Sequence, residues 1–208
     1  IPLPPLEEQK RIVAILDAAF ADIDQLSWNV VRKLATADEL FESILEAALD
    51  GVTDGWPETT LAVEVNEGHC DLLAGFAFKS KEYSNVEGDV RLLRGDNIVP
   101  GSLRWDGVKR IAADRFEKFE RYELREDDIV LAMDRPWVSA GLKLAVVAPN
   151  DLPALLVQRV ARLRFGPTWD PLFAQYTLRQ RRFSDHLLSA QTGVGVPHIS
   201  ASQIKDFS

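Results

Sequence analysis

IPLPPLEEQKRIVAILDAAFADIDQLSWNVVRKLATADELFESILEAALDG (residues 1–51) opens with three prolines and then has neither proline nor glycine until Gly51. Pro4 and Pro5 suit the approach to a helix or its first turn, where a missing N–H is harmless. Glu7 and Glu8 then complement the positive end of the helix dipole, and Gly51 is the residue type that ends helices. Alternating steps of four and three pass through Ile12, Leu16, Ala19, Ile23, Leu26, Val30, Lys33, Ala37, Leu40, Ile44 and Ala47. All but Lys33 are apolar when alanine is counted, which is the seam of a coiled coil. At ~1.5 Å per residue this predicts a rod of roughly 65 Å. The seam calls for a partner helix. The alternative, a helix lying across its own domain, is weakened by how strand-rich and self-contained the remaining residues read.

Composition supports a folded body beyond that rod. The 208 residues are 46% apolar and 27% charged, enough to bury a core. Charge is uneven: residues 1–55 hold 4 Lys/Arg and 11 Asp/Glu, whereas residues 56–208 hold 20 and 21. Most of the net −8 thus belongs to the rod, and the near-neutral remainder can carry a basic face. Cys70, the one cysteine, forms no internal disulfide and fits a reducing cytoplasm. With His69, His186 and His198 it has no metal-ligand spacing, so no metal site is expected. No apolar run approaches the ~20 residues that span a bilayer, so a cytoplasmic protein without a membrane anchor is expected.

The pattern predicts a helical arm over 1–51, a linker over 52–58 with Gly51, Gly55 and Pro57 in or beside it, and a mixed domain over 59–208. Strands are expected over Thr59–Val65, Val90–Ile98, Asp128–Ala132, Leu142–Ala148 and Leu155–Phe165. AADRFEKFERYEL (112–124) reads as a short amphipathic helix. DPLFAQYTLRQRRFSDHLLSA (170–190) reads as a longer helix capped by Asp170, with Pro171 in its first turn. Ser200 and Gln203 have capping-box spacing and predict a last helical turn. The fold class is α+β: a long coiled-coil-forming helix followed by a mixed α/β domain.

Several runs resemble one known family. They are PLPPLEEQKRIVAILD (2–17), LLAGFAFKS (72–80) with Tyr83, RLLRGDNIVPGSLRW (91–105), REDDIVLAM (125–133), LLVQRVARLR (155–164) and GVGVPHISASQIKDF (193–207). In this order the chain resembles the DNA specificity subunit of type I restriction–modification systems. That resemblance implies a pseudo-repeat of two target recognition domains alternating with two long helices. Here one phrase of the joint between repeats opens the chain and the other closes it. The chain therefore reads as one repeat unit, either a piece of a longer subunit or a half-subunit that pairs with a second copy; both stay open. The missing initiator methionine favours the former.

The resemblance further implies a non-catalytic chain that reads one half of a bipartite double-stranded DNA target. It would dock methyltransferase subunits, which bring S-adenosylmethionine, and meet the restriction subunit in the same complex. No cofactor is expected in the chain itself. The expected DNA-binding residues are Lys79, Lys81, Arg94, Asn97, Arg104, Arg135, Ser139, Lys143, Gln191, Thr192 and His198. Arginine suits guanine and asparagine or glutamine suits adenine, because each forms two hydrogen bonds to a base edge. The expected coiled-coil interface is Ile12, Leu16, Ile23, Leu26, Val30, Leu40 and Ile44. Asp96 and Asn97 could equally cap a turn, Gln158 and Arg159 read as mid-strand residues, and the run Arg179, Arg181 and Arg182 reads as a solvated helix face. Two other readings compete. An interaction or anti-restriction protein would pair through its helix and mimic DNA, but should be acidic throughout. An independent enzyme would need convergent titratable groups, and His69–Cys70 lacks an interpretable third member.

Overall fold

The computed structural model describes residues 3–49, 58–190 and 197–208. It divides into two compact units, Ile1–Asp54 and Gly55–Ser208. Most of the expected linker lies outside the described residues, as do Gln191 and Thr192.

The first unit is helix α1 (Leu6–Leu49), 44 residues without a break. Gln9 Nε2 donates to the Pro4 carbonyl at 2.7 Å and closes the proline-rich entry, while Arg11 pairs with Glu8 one turn back. The seam positions Ile12, Leu16, Ile23, Leu26, Val30, Leu40 and Ile44 are all 40–64% exposed. Phe20, Trp28, Val31 and Leu34 are exposed as well, so the apolar surface of α1 is wider than the seam.

The second unit begins with a correction. The expected strand over Thr59–Val65 is helix α2 (Leu61–Asn66), because Thr60 caps it by accepting from Val63 N at 3.2 Å. LAVEV alternates like a strand, yet the buried pair is Leu61 and Glu64, three apart as a helix requires. The strands that follow are β1 (Cys70–Ala74), β2 (Val90–Leu93), β3 (Ile98–Val99), β4 (Ser102–Leu103), β5 (Lys109–Ile111) and β6 (Ile129–Ala132). Then come β7 (Trp137–Val138), β8 (Gly141–Leu142), β9 (Leu144–Val146), β10 (Ala154–Leu156) and β11 (Val160–Phe165). Helices α3 (Pro171–Arg179), α4 (Arg181–Ala190) and α5 (Ala201–Lys205) end the unit.

One antiparallel sheet has the order β1-β11-β6-β9, and a second has β10-β2-β5 with β10 parallel to β2. β6 is buried at every position because both faces of its sheet are covered. Ile129, Leu131, Ala161, Leu163 and Cys70 face a cluster with Leu61 of α2, Ala174 and Leu178 of α3, Phe183 and Leu187 of α4, and Ile204 of α5. On the opposite face, Val130, Ala132, Ala145 and Val160 meet Leu93, Ala154 and Leu156 of the second sheet. That sheet's far side is closed by Phe76, Phe78, Phe116, Phe119 and Tyr122 around Leu92, Ile111 and Leu155. The segment expected as a short helix supplies three of these rings as a kinked 3-10 stretch, Ala113–Tyr122.

Three other expectations are refined. The run Val90–Ile98 leaves the strand at Arg94 for a 3-10 turn over Gly95–Asn97. Leu155–Phe165 breaks at Gln158–Arg159, with Arg159 in left-handed backbone at φ 66°. The long helix from Pro171 divides at Gln180, whose ψ of 146° is extended, although Asp170 caps it by accepting from Leu172 N and Phe173 N. Ser200 and Gln203 form the expected capping box.

Candidate nucleic-acid interface

Four loops far apart in sequence are stitched along one rim of the second unit. The β3–β4 hairpin joins the sheet through Gly101 N, which donates to the Leu144 carbonyl at 2.8 Å. Met133 N donates to the Arg159 carbonyl (2.8 Å), Arg135 N to Pro197 (2.9 Å) and Ile199 N to Met133 (2.9 Å). Asp134 and His198 form a β-bridge. The loop after β6 thus has a neighbour on each side, the β10–β11 turn and the segment ahead of α5.

Arg135, Arg159 and His198 sit on these loops, Arg94 and Arg104 flank the β3–β4 hairpin, and Lys143 lies between β8 and β9, under the turn that follows Arg94. Arg94 is tied to Asp96 in its own turn at 3.1 Å, and Arg104 and Arg135 are exposed. Two of the expected DNA contacts are buried in the fold. Asn97 is buried: its Oδ1 accepts from Arg94 N at 3.1 Å and its Nδ2 donates to the Arg104 carbonyl at 3.0 Å. It holds the two ends of the arginine hairpin together, the turn-capping alternative. Lys143 is also buried, and a methyl group added at Gly95 would come within 4.0 Å of its Nζ. Burial, reinforced by Arg135 and opposed by Asp96, lowers the Lys143 pKa. Lys143 therefore acts as a positive charge beneath the Arg94–Asn97 turn.

Ser139 is exposed at the tip of the β7–β8 hairpin. Lys79 and Lys81 are exposed around the 3-10 turn Ser80–Glu82, on a segment that starts beside the same rim, since Gln158 N donates to the Phe76 carbonyl at 2.8 Å. Among the described residues, no hydrogen bond or ion pair joins either lysine side chain to the arginine loops.

Two arginines on the rim have positive φ, Arg135 at 45° and Arg159 at 66°. That conformation costs a residue with a Cβ about 1 kcal/mol, and glycine or asparagine would fill it more cheaply. Such residues persist where neighbours over-determine them, and they cluster at functional sites.

The chain is 37% identical over 153 residues to the specificity subunit of the type I restriction enzyme EcoAI of Escherichia coli, covering 73% of this chain and 25% of that subunit. It is 30% identical over 215 residues to the MjaVIII specificity subunit of Methanocaldococcus jannaschii, covering 96% of this chain and 48% of that one. This chain is a relative of type I restriction specificity subunits. It spans about half the length of one such subunit and a quarter of the other. A chain from a solved type I R-M system shares the fold, with a TM-score of 0.52 and 20% identity over 99% of this chain and 47% of that one. No protein-family model matches.

In this relative of specificity subunits, sequence reasoning missed that Arg159 stands on the same rim. It was expected inside a strand, but it projects from the turn, 64% exposed, with Nη1 donating to Asp134 Oδ1 at 3.0 Å. The sole hint was the polar pair Gln158–Arg159 between two apolar runs. The nucleophile reading of Cys70 has no support: its thiol is buried, and burial, with Asp71 and Glu64, pushes its pKa up to about 12. Trp137 packs against the main core cluster. Among the described residues, no group of three His, Cys, Asp or Glu could hold a metal ion, and no helix is long and apolar enough to cross a membrane.

Proposed function

We propose that this chain is a non-catalytic DNA-recognition module that reads one half of a bipartite duplex target. The observation that carries the reading is the convergence of Arg94, Arg104, Arg135, Lys143 and Arg159 on neighbouring loops of one rim, in a relative of specificity subunits. Exposed arginines supply phosphate contacts that position the domain and base-edge forks that specify sequence. Lys79, Lys81, Ser139 and His198 would extend this surface at its margins.

In this reading α1 pairs through Ile12, Leu16, Ile23, Leu26, Val30, Leu40 and Ile44 with a second helix, from another copy or another repeat. The pair holds two recognition domains a set distance apart. Methyltransferase subunits dock on the assembly and carry S-adenosylmethionine, and the restriction subunit joins through the complex. The acidic rod keeps its own surface off the phosphates and leaves the duplex to the near-neutral domain.

The test is a domain exchange in the complex assembled with methyltransferase subunits. Replacing residues 56–208 with another recognition domain should change the methylated sequence and leave assembly intact. Methylation of the original sequence after the exchange would refute the proposal. Binding of the matched duplex should also weaken steeply with salt, as phosphate neutralisation requires.

A further inference from the structure

Resting on the DNA-reading function proposed above, we infer that Arg159 reads a guanine in the target and that Asp134 is its positioning residue. Four ion pairs among the described residues join an arginine to a distant segment. In three of them the arginine side chain is at most 31% exposed: Arg115–Glu82, Arg162–Asp71 and Arg164–Asp128. Those pairs hold the fold together. Arg159–Asp134 differs, because its arginine is 64% exposed and the pair sits on the rim.

The atoms involved matter more than the exposure. Asp134 Oδ1 takes Nη1 of Arg159 at 3.0 Å, while Nε and Nη2 have no partner among the described residues. Nε–H and Nη2–H lie on one edge of the planar guanidinium and point the same way. That edge matches the two acceptors of guanine, O6 and N7, in the major groove. An arginine held by a carboxylate has also lost much of its rotamer freedom before it meets DNA, so less is lost on binding.

The support beneath the pair is equally specific. The Arg159 turn is held on one side by Gln158 N donating to Phe76 and on the other by Met133 N donating to the Arg159 carbonyl. The loop carrying Asp134 is held by the bridge to His198 and by Arg135 N on Pro197. Both partners stand on backbone pinned by other elements. The left-handed backbone at Arg159 would suit glycine better, so the side chain offers something other than a comfortable turn.

The experiment enriches bound duplexes from a randomised library with the full chain in its methyltransferase complex. It compares wild type with Arg159→Gly, Arg159→Lys and Asp134→Asn. Arg159→Gly relieves the backbone while removing the fork, so it stays folded, and its melting temperature verifies this. The wild type should enrich a motif in which one guanine position depends on Arg159. Arg159→Gly should lower discrimination at that position by about 10- to 100-fold and leave the others unchanged. Arg159→Lys should keep overall affinity within a few-fold and still lose that guanine preference, because an ammonium has no fork. Asp134→Asn should weaken the same position only, and should add nothing in an Arg159→Gly background, as expected of a residue acting through the arginine. An unchanged motif in Arg159→Gly, or an equal loss at every position, would overturn the assignment while leaving DNA reading intact. A wild type that enriches no motif would overturn both.

Discussion

Arg164 places Nε and Nη2 on the two carboxylate oxygens of Asp128 at 2.7 and 2.8 Å, and the Asp128 side chain is fully buried. The same carboxylate accepts from Arg125 N at 2.7 Å, so it also closes the turn that leads into β6. Arg164 Nη2 donates in addition to the Glu123 carbonyl at 2.9 Å. Asp128→Ala would leave the Arg164 guanidinium without its carboxylate and the turn at Arg125 open. Removing one partner of a buried pair costs roughly 3–5 kcal/mol. A urea titration of Asp128→Ala should show a loss of that size; a shift under about 1 kcal/mol would mean that water satisfies Arg164 instead.

Glu64 ties the start of the second unit to Trp169, 105 residues later. Its carboxylate accepts from Trp169 Nε1 at 2.8 Å and Thr59 Oγ1 at 2.7 Å, with His69 Nδ1 at 3.2 Å. Burial acts to raise its pKa, but these hydrogen bonds prevail and hold it below the ordinary carboxylate value. A depressed folded pKa stabilises above the unfolded value of about 4.3, and the contribution disappears as pH falls through the folded value. Glu64→Gln should therefore be less stable than wild type at neutral pH and lose less stability on acidification from about pH 5 to 3. Parallel acid-unfolding curves for the two proteins would contradict this.

Gly75 is a place where only glycine fits. A Cβ there would lie 2.3 Å from the Val157 carbonyl oxygen, which is backbone and cannot swing away. Gly75 N donates to the Val160 carbonyl at 3.0 Å, so the contact clamps GFAF against the turn that carries Arg159. Gly75→Ala should destabilise by about 3 kcal/mol, at the upper end for overpacking. Thermal melting checks it, and an unchanged midpoint would show that the two strands separate readily.

These sites show how far local patterning reaches. The rod was legible because its four-three spacing persists over dozens of residues, and the caps at Asp170 and Ser200 were legible because each is a local side-chain-to-backbone bond. Helix α2 was not, because LAVEV satisfies the two-residue period while Thr60 decides the matter. Strand β1 was hidden by Asp71, whose charge is met by Arg162 some ninety residues later. The burial of Asn97 and Lys143 and the exposure of Arg159 depend on which loops lie side by side, and no short window of residues carries that.

The seam of α1 gives a prediction about assembly. Ile23 and Leu26 are 54% and 64% exposed, so charging them does little harm to the isolated helix while ruining an apolar contact with a mate. Ile23→Lys with Leu26→Lys should reduce the chain to a species of 23.3 kDa by sedimentation and leave its helix content unchanged. A mass that was already 23.3 kDa before the substitution would mean that pairing needs a different partner.

In the proposed reading, Lys143 sets stability against binding. Burial, with Arg135 close by, lowers its pKa, and Asp96 only partly opposes this. A lysine depressed in the folded state is costly while charged, and stability should rise with pH from its folded value towards the unfolded value of about 10.4. Lys143→Met keeps the stem that packs below Gly95 and removes the charge. The variant should therefore melt higher than wild type at neutral pH and lose the alkaline rise. The same change should weaken duplex binding about equally for all sequences and reduce the salt slope by about one. A variant more stable but unaltered in DNA affinity would separate Lys143 from the interface and leave it a burden on the fold with no return at the rim.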